Sequence, residues 1–559
     1  MQYKKGLPII FLALTTLSAL AQRSPVKEPI NWQKAMHSEW VNSHINQLSL
    51  DEMIAQLFWV AVPAHTGVEK LAPTINMIKR YHPGGVIFFK NTPTNVAKAT
   101  NELQKNTSIP LIMSIDGEWG LGMRLQNSIS YPFQMTLGAI QTDQLIEEMG
   151  YEIGQQFKRI GIHVNLAPVA DINTNPNNPV IGRRSFGADP QQVAKKTTYY
   201  MLGMQSAGIA AVAKHFPGHG DTSGDSHKLL PVCRHTRARM DSIELVPFKT
   251  LVRAGIMGIM SGHLEVPALE PVDGTPATLS HTILTKLLKE EMGFGGFVIT
   301  DAMNMHGVLA AQKDGNVDAR AIIAGNDVVE LSINLPRAIE EIKRAIDQKK
   351  ITREAIEQKC RKVLALKEWC GLSNYQPNNP EQIGEYINRP YAQWLNDKLL
   401  RSSITVIKNE QQILPNNGKK GVLVQFNNNP TVFNHLSEPL NFKRINAASG
   451  VQSIITQTSG EETIYVVIEN IDEVNQATLS NLLAQRKCIV VYMGNPYRLA
   501  RLAQLNKAAA IVVQYENSPA AQKSIAAFIS GKVNVQGRLP VPTAGYPYGW
   551  GIDIPKTKE

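Results

Sequence analysis

The sequence predicts an α/β protein, a (β/α)8 TIM-like barrel followed by a smaller α/β sandwich domain. Three observations lead there. Apolar runs of strand length alternate with helical stretches seven or eight times over about 330 residues, which points to a parallel barrel rather than an open sheet. Polar residues recur where those runs end, the position at which barrel strands deliver side chains to one face. After a segment holding Pro377, Pro380, Pro390 and several asparagines, the alternation starts again. A chain of 559 residues has room for a barrel and a second, smaller domain.

In chain order, Lys4 and Lys5 precede an apolar run from Leu7 to Leu20, and Ala19-Leu20-Ala21 forms a small-x-small cleavage site. This reads as a secretory signal peptide over 1–21, too short and wrongly flanked for a stable membrane span. No later run reaches membrane-spanning length, so the expectation is a soluble, exported protein, periplasmic or extracellular. Trp32 to Leu50 reads as helical, and Leu50-Asp51 opens a further helix carrying Leu57-Phe58-Trp59-Val60. Then come strand Gly84–Phe89, helix Asn95–Lys105, strand Pro110–Asp116, helix Thr142–Arg159 and strand His163–Asp171. Asp189-Pro190 gives an N-cap and first-turn signal for a helix to about Ser206. A short strand over Ile209–Ala213, helix Ser242–Ala254, strand Ile256–His263, helix His281–Glu291 and strands Gly296–Asp301 and Asp327–Leu331 complete the barrel. The expected division is barrel 22–375, linker 376–397 and sandwich 398–559. The sandwich strands are Gly421–Phe426, Thr463–Glu469, Cys488–Met493 and Ala509–Tyr515.

Asp116, Asp171, Lys214, His215, His263 and Asp301 each close an apolar run. Singly, each fits a helix cap or a solvated turn; six in one topological slot point to a shared pocket. The richest stretch is Gly208 to Pro231, GIAAVAKHFPGHGDTSGDSHKLLP, an apolar strand breaking into a Gly-rich loop with Lys214, His215, His219, Asp221, Asp225 and His227. Its glycines suggest a specified backbone path and hence a catalytic or binding loop.

Composition excludes several classes. Hydrophobic residues at 43% and charged residues at 19% describe a globular chain. The net charge of +10 is scattered, without a basic stripe for nucleic acid. The four cysteines match no zinc spacing, and Cys360 and Cys370, ten residues apart in one expected helix, stand roughly 15 Å apart, too far to bridge. His215, His219 and His227 lack the spacing of a metal site, so neither metal nor cofactor is expected.

The Gly208–Pro231 stretch resembles the signature of bacterial β-N-acetylglucosaminidases of glycoside hydrolase family 3, the NagZ type. The likeness lies in Lys214-His215-Phe216-Pro217-Gly218-His219-Gly220 and Asp225-Ser226-His227. It continues in Ala167-Pro168-Val169, Arg184-Ser185-Phe186, Pro276-Ala277-Thr278 and Phe297 to Met303, and in the second domain at Tyr515 to Pro519 and Gly537 to Val541.

The resemblance implies a retaining exo-β-N-acetylglucosaminidase acting on terminal β-linked N-acetylglucosamine of peptidoglycan fragments or chitin oligosaccharides. It makes Asp301 the nucleophile, His227 the general acid/base and Asp225 the residue that orients His227. Most retaining glycosidases use a second carboxylate where this family uses the imidazole. The implied sugar-binding residues are Asp116, Arg124, Arg184, Lys214 and His215. In the segment from Asp116 to Leu125, Trp119, Leu121 and Gly122 stand where the family has glycine, arginine and valine, departures that bear on specificity at the pocket rim. The partner is a carbohydrate, with no nucleic acid and no metal. Two alternatives stand beside hydrolysis: a β-N-acetylglucosaminide phosphorylase, since an imidazole does not repel an attacking phosphate, and a non-catalytic sugar-binding protein.

Overall fold

The structure is a computed structural model that describes residues 27–224, 229–309, 316–416, 420–427, 429, 431–458 and 462–557. Eight parallel strands form the first sheet: β1 (Phe58–Val62), β2 (Gly85–Phe88), β3 (Ile112–Ile115), β4 (Val164–Asn165), β5 (Ala210–Phe216), β6 (Gly258–Ser261), β7 (Phe297–Thr300) and β8 (Val329–Glu330). They pair in sequence order, and β1 closes on β8 through Phe58↔Val329 and Trp59↔Glu330. An Ile299↔Val328 bridge joins β7 to the start of β8, so the sheet is a barrel. Strands β2, β3, β5, β6 and β7 are buried along their whole length, as expected where helices cover the outside and side chains fill the inside.

Most expected elements lie within a few residues of their observed bounds, but several differ: the helix expected over Trp32–Leu50 is two, Trp32–Ala35 and Glu39–Ile45, and the strand expected over His163–Asp171 is only Val164–Asn165. The helix opened at Leu50 stops at Ala55, and Phe58–Val62, expected as its continuation, is the first barrel strand. Ser49 and Glu52 form a capping box that fixes a short helix start. The aromatic and β-branched residues beyond it then gain more from pairing between β2 and β8 than from another helical turn. Strand β5 runs on to Phe216, so Lys214 and His215 belong to the strand and not to the loop. The helix expected over 242–254 is two, Arg237–Ser242 and Val246–Arg253. The stretch expected as a linker, 376–397, contains helix Ile383–Ile387 and about the first two turns of helix Pro390–Ser403.

The second sheet has six strands: β9 (Thr405–Asn409), β10 (Gly421–Gln425), β11 (Lys443–Asn446), β12 (Thr463–Ile468), β13 (Cys488–Tyr492) and β14 (Ala510–Val513), in the order β11-β10-β12-β13-β14-β9. All pairs are parallel except β9, which runs antiparallel beside β14. The sequence reading found the four central strands and missed the two edges, β9 and β11. Separate apolar clusters cover the sheet's two faces, one around Val422, Val466 and Val490 and one around Leu423, Tyr465 and Ile489. All four cysteines are free thiols. Among the described residues, no helix is long and apolar enough to cross a membrane.

Candidate active site

The C-terminal ends of the barrel strands surround a cavity of about 500 Å³, in the range of small-molecule sites. Asp116 follows β3, Lys214 and His215 end β5, Asp301 follows β7 and Glu330 ends β8, and all line it. Arg124 and Arg184 reach it from short turns at Leu121–Met123 and Gly182–Arg184. Six of the eight expected site residues, Asp116, Arg124, Arg184, Lys214, His215 and Asp301, are therefore in one place. The other two, Asp225 and His227, lie outside the described residues.

The turn after β3 is held from below. Asn165 on β4 accepts from Gly117 N at 2.9 Å and donates to Gly117 O at 3.1 Å, and the Tyr200 hydroxyl donates to the same carbonyl at 3.1 Å. Gly117 is required there by close approach, since a Cβ would stand 2.4 Å from Phe157 Cζ. The clamped turn presents Asp116 and Glu118 to three cations. Asp116 Oδ2 accepts from Arg124 at 2.5 Å and Oδ1 from Lys214 at 2.8 Å. Glu118 lies 2.9 Å from Lys214 and accepts from Arg184 Nε at 2.9 Å and Nη2 at 2.7 Å. Burial alone would push both carboxyls up. Lys214 and Arg124 outweigh it and hold Asp116 well below the usual carboxylate range, while Arg184 and Lys214 bring Glu118 to about 2.

Asp171, fully buried, anchors the other wall. It accepts from His215 Nδ1 at 2.7 Å and from the backbone N–H of His215 and His219 at 3.2 and 2.7 Å. The bond fixes the tautomer of His215 and turns its Nε2 toward Arg184, 3.5 Å away. Burial lowers His219 to about 4, and its Nδ1 meets Thr222 Oγ1 at 2.6 Å. His263 sits behind the cavity, bonded to Thr278 Oγ1 at 2.8 Å and to Ala302 O at 3.0 Å.

Asp301 differs from its neighbours. Its backbone N–H donates to Ser261 O at 3.0 Å, locking the end of β7 to β6, and among the described residues its carboxyl has no ion pair. Burial would raise it, but His215, His263 and the Ala302 N–H hold it below its ordinary value. The site thus contains an ionised carboxylate with room in front of it, facing cations already committed to two others.

Asp221 and His235, which stand on either side of Asp225 and His227 in the sequence, meet at 2.5 Å. Glu244 joins them, and Arg239 lies 3.2 Å from Glu244 and 3.8 Å from Asp221, so a guanidinium supplies the cation here. Beside the cavity, and sharing Val180 and Arg184 with it, opens a second cleft of about 570 Å³. It is lined by Trp119, Phe133 and Arg183 of the barrel and Tyr497, Arg498 and Arg501 of the second domain. Trp119, the departure noted in the sequence, thus faces the interdomain rim. Sequence reasoning assigned no role to Glu118 or Glu330. Glu118 stood two residues after Asp116 in a segment already singled out, and Glu330 closes β8 in the same slot as the other polar residues.

Residues 49–366 match the family described as glycosyl hydrolase family 3 N terminal domain. The chain belongs to glycosyl hydrolase family 3. It is 31% identical over 367 residues to a protein named beta-hexosaminidase A of Pseudoalteromonas piscicida, covering 60% of this chain and 61% of that protein's length. A beta-hexosaminidase of Thiobacillus denitrificans is 36% identical over 276 residues, 47% of this chain and 75% of that one. Among solved structures, a family 3 beta-N-acetylglucosaminidase from Paenibacillus superposes with a TM-score of 0.77 at 30% identity, covering 89% of this chain and 99% of that one. The glycosyl hydrolase barrel and its companion sandwich thus extend over nearly the whole described chain.

Proposed function

We propose that this protein is a retaining exo-β-N-acetylglucosaminidase. The observation that carries the reading is Asp301: a partly buried, ionised carboxylate, without an ion pair among the described residues, just after β7 in a cavity that Lys214 and Arg184 also line. The similarity to proteins named beta-hexosaminidase supports the sugar.

In the first step Asp301 Oδ attacks the anomeric carbon and the bond to the leaving oxygen breaks. His227, oriented by Asp225, gives that oxygen its proton. In the second step the same imidazole removes a proton from water, whose oxygen displaces Asp301 and releases the sugar with retained configuration. Asp116, Arg124, Arg184, Lys214 and His215 hold the sugar, the cations donating to its oxygens and Asp116 accepting from its hydroxyls. Lys214 and Arg184 also balance the carboxylates, so Asp301 is the nucleophile free to react.

The proposed substrates are peptidoglycan fragments or chitin oligosaccharides, met outside the cytoplasm after removal of 1–21. The proposed division is barrel 22–375, linker 376–397 and sandwich 398–559. Asp301→Ala should reduce release of nitrophenol from the β-N-acetylglucosaminide at least 10⁴-fold, the scale of losing a covalent nucleophile. Turnover like that of the unaltered protein would refute the assignment. Free sugar in phosphate buffer is the expected product; sugar 1-phosphate would make the protein a phosphorylase.

A further inference from the structure

Four carboxyl groups line the cavity, Asp116, Glu118, Asp301 and Glu330, against three permanent cations, Arg124, Arg184 and Lys214. The cations are spent on Asp116 and Glu118. Asp301 draws on His215, His263 and a backbone N–H. Glu330 has none of these. It is 4% exposed, Oε2 is buried without a partner, and no donor reaches either carboxyl oxygen among the described residues. Such a group is costly to bury ionised, whereas a protonated one is tolerated and becomes a hydrogen-bond donor.

Its position is set firmly by the backbone. Glu330 N–H donates to Thr300 Oγ1 at 3.0 Å and its carbonyl accepts from Met303 N at 2.9 Å, tying it to the end of β7 on both sides. The next residue, Leu331, has φ of 56°, a left-handed conformation that is unfavourable for a non-glycine residue. Strain of this kind persists where the surroundings demand it, and here it turns the chain directly behind a cavity-lining side chain. The charged groups acting on Glu330 are Asp116 and Arg124 from the turn after β3, Lys214 from β5 and Asp301 from β7. Its partner strand β1, FWVAV, brings no ionisable side chain. Burial, then Asp116 and Asp301, push the Glu330 carboxyl well above the ordinary range.

We propose that Glu330 works protonated and donates a hydrogen bond to a hydroxyl of the bound sugar that itself donates to Asp116. Donor and acceptor would together read one hydroxyl, its presence and its direction on the ring. This inference rests on the glycosidase reading above, and adds a specificity-determining residue to it.

The test uses the full chain with Glu330→Ala and Glu330→Gln. With the nitrophenyl β-N-acetylglucosaminide, Glu330→Ala should lower kcat/KM 10- to 100-fold, chiefly through KM. Glu330→Gln, whose neutral amide also donates, should recover at least ten-fold of that loss. As pH rises the unaltered protein should lose kcat/KM while Glu330 ionises, and the ratio of Glu330→Gln to it should climb. Independently of turnover or of how the alanine variant folds, the infrared spectrum at pH 7 should show the carbonyl stretch of a protonated carboxyl. That band should vanish in Glu330→Gln and shift when N-acetylglucosamine is added to the unaltered protein. A band that shifts in a protein that turns over no glycoside would sink the glycosidase reading and leave Glu330 as proposed. No band, a band unmoved by the sugar, Glu330→Gln as impaired as Glu330→Ala, or Glu330→Ala as active as the unaltered protein would each overturn the proposal.

Discussion

Glu118 lines the cavity, but its carboxylate is spent on Lys214 and Arg184, and both depend on it. It is fully buried, and its two cations line the same cavity as Asp301. Removing one member of a buried ion cluster leaves uncompensated charge, at a cost of about 3–5 kcal/mol. Glu118→Ala should therefore lower stability by about 3 kcal/mol in a denaturant titration. It should also lower kcat/KM by about 100-fold, because misplacing positioning groups by an ångström has that effect. A pH dependence follows with a definite sign. Glu118 is depressed from its ordinary 4.5 to about 2, so the unfolded chain binds more protons across that window. Its stabilisation is complete above about pH 4.5 and is lost as the pH falls toward 2. Glu118→Gln should remove that part of the acid slope; an unchanged slope would show that Glu118 is not paired as described.

At the scale of elements, the turn after β3 does most to shape the site. It is wedged between Asn165, Tyr200 and Phe157, and carries Asp116 and Glu118 on either side of Gly117. Gly117→Ala adds one methyl against Phe157 Cζ, and overpacking of this kind costs about 1–3 kcal/mol. The prediction is a modest fall in melting temperature with a kcat/KM loss of at least ten-fold, since the turn can yield only by moving both carboxylates; activity like that of the unaltered protein would show that Phe157 moves instead. The same region shows what the sequence made legible. Asp116, Lys214, His215 and Asp301 announced themselves because an apolar run ending in a charged residue is costly unless that residue faces a cavity. β1 did not, because Leu50 to Val60 is apolar with helical spacing at its start, and only pairing with β2 and β8 decides where the helix stops. The edge strands β9 and β11 escaped for a related reason. Thr405–Asn409 and Lys443–Asn446 are short and partly polar, and a single neighbour makes each of them a strand. Glu330 was passed over because it stood inside the expected strand Asp327–Leu331 and not at its end, and its lack of a counter-ion exists only in three dimensions.

At the scale of the whole molecule, the two domains share structure instead of merely touching. Met135 and Ala139, from the barrel's helix Gln134–Gly138 and its end, lie in the same apolar cluster as Ile407, Val422 and Val466 of the second sheet. Polar contacts bind the same helix. Glu516, buried, accepts from Thr136 Oγ1 at 2.7 Å and from Phe133 N at 3.0 Å, and Arg538 N donates to Ala139 O at 3.0 Å. Ala188 N donates to Pro540 O at 3.0 Å, which places the Gly537–Val541 motif against the barrel. Gly138 fits only because it lacks a Cβ: one added there would stand 1.9 Å from Phe186 O and 2.9 Å from Pro540. A barrel that lost the second domain would expose Met135 and Ala139, and a second domain without the barrel would lose part of one core, so neither is expected to melt alone. Calorimetry of the full chain should show a single transition. Glu516→Ala, which strands two donors at a cost of about 1–3 kcal/mol, should move that transition down without dividing it. Gly138→Val, which clashes with Phe186 O within the barrel and with Pro540 of the second domain, should lower it further. Two separate transitions in the unaltered protein would show that the shared helix does not couple the domains.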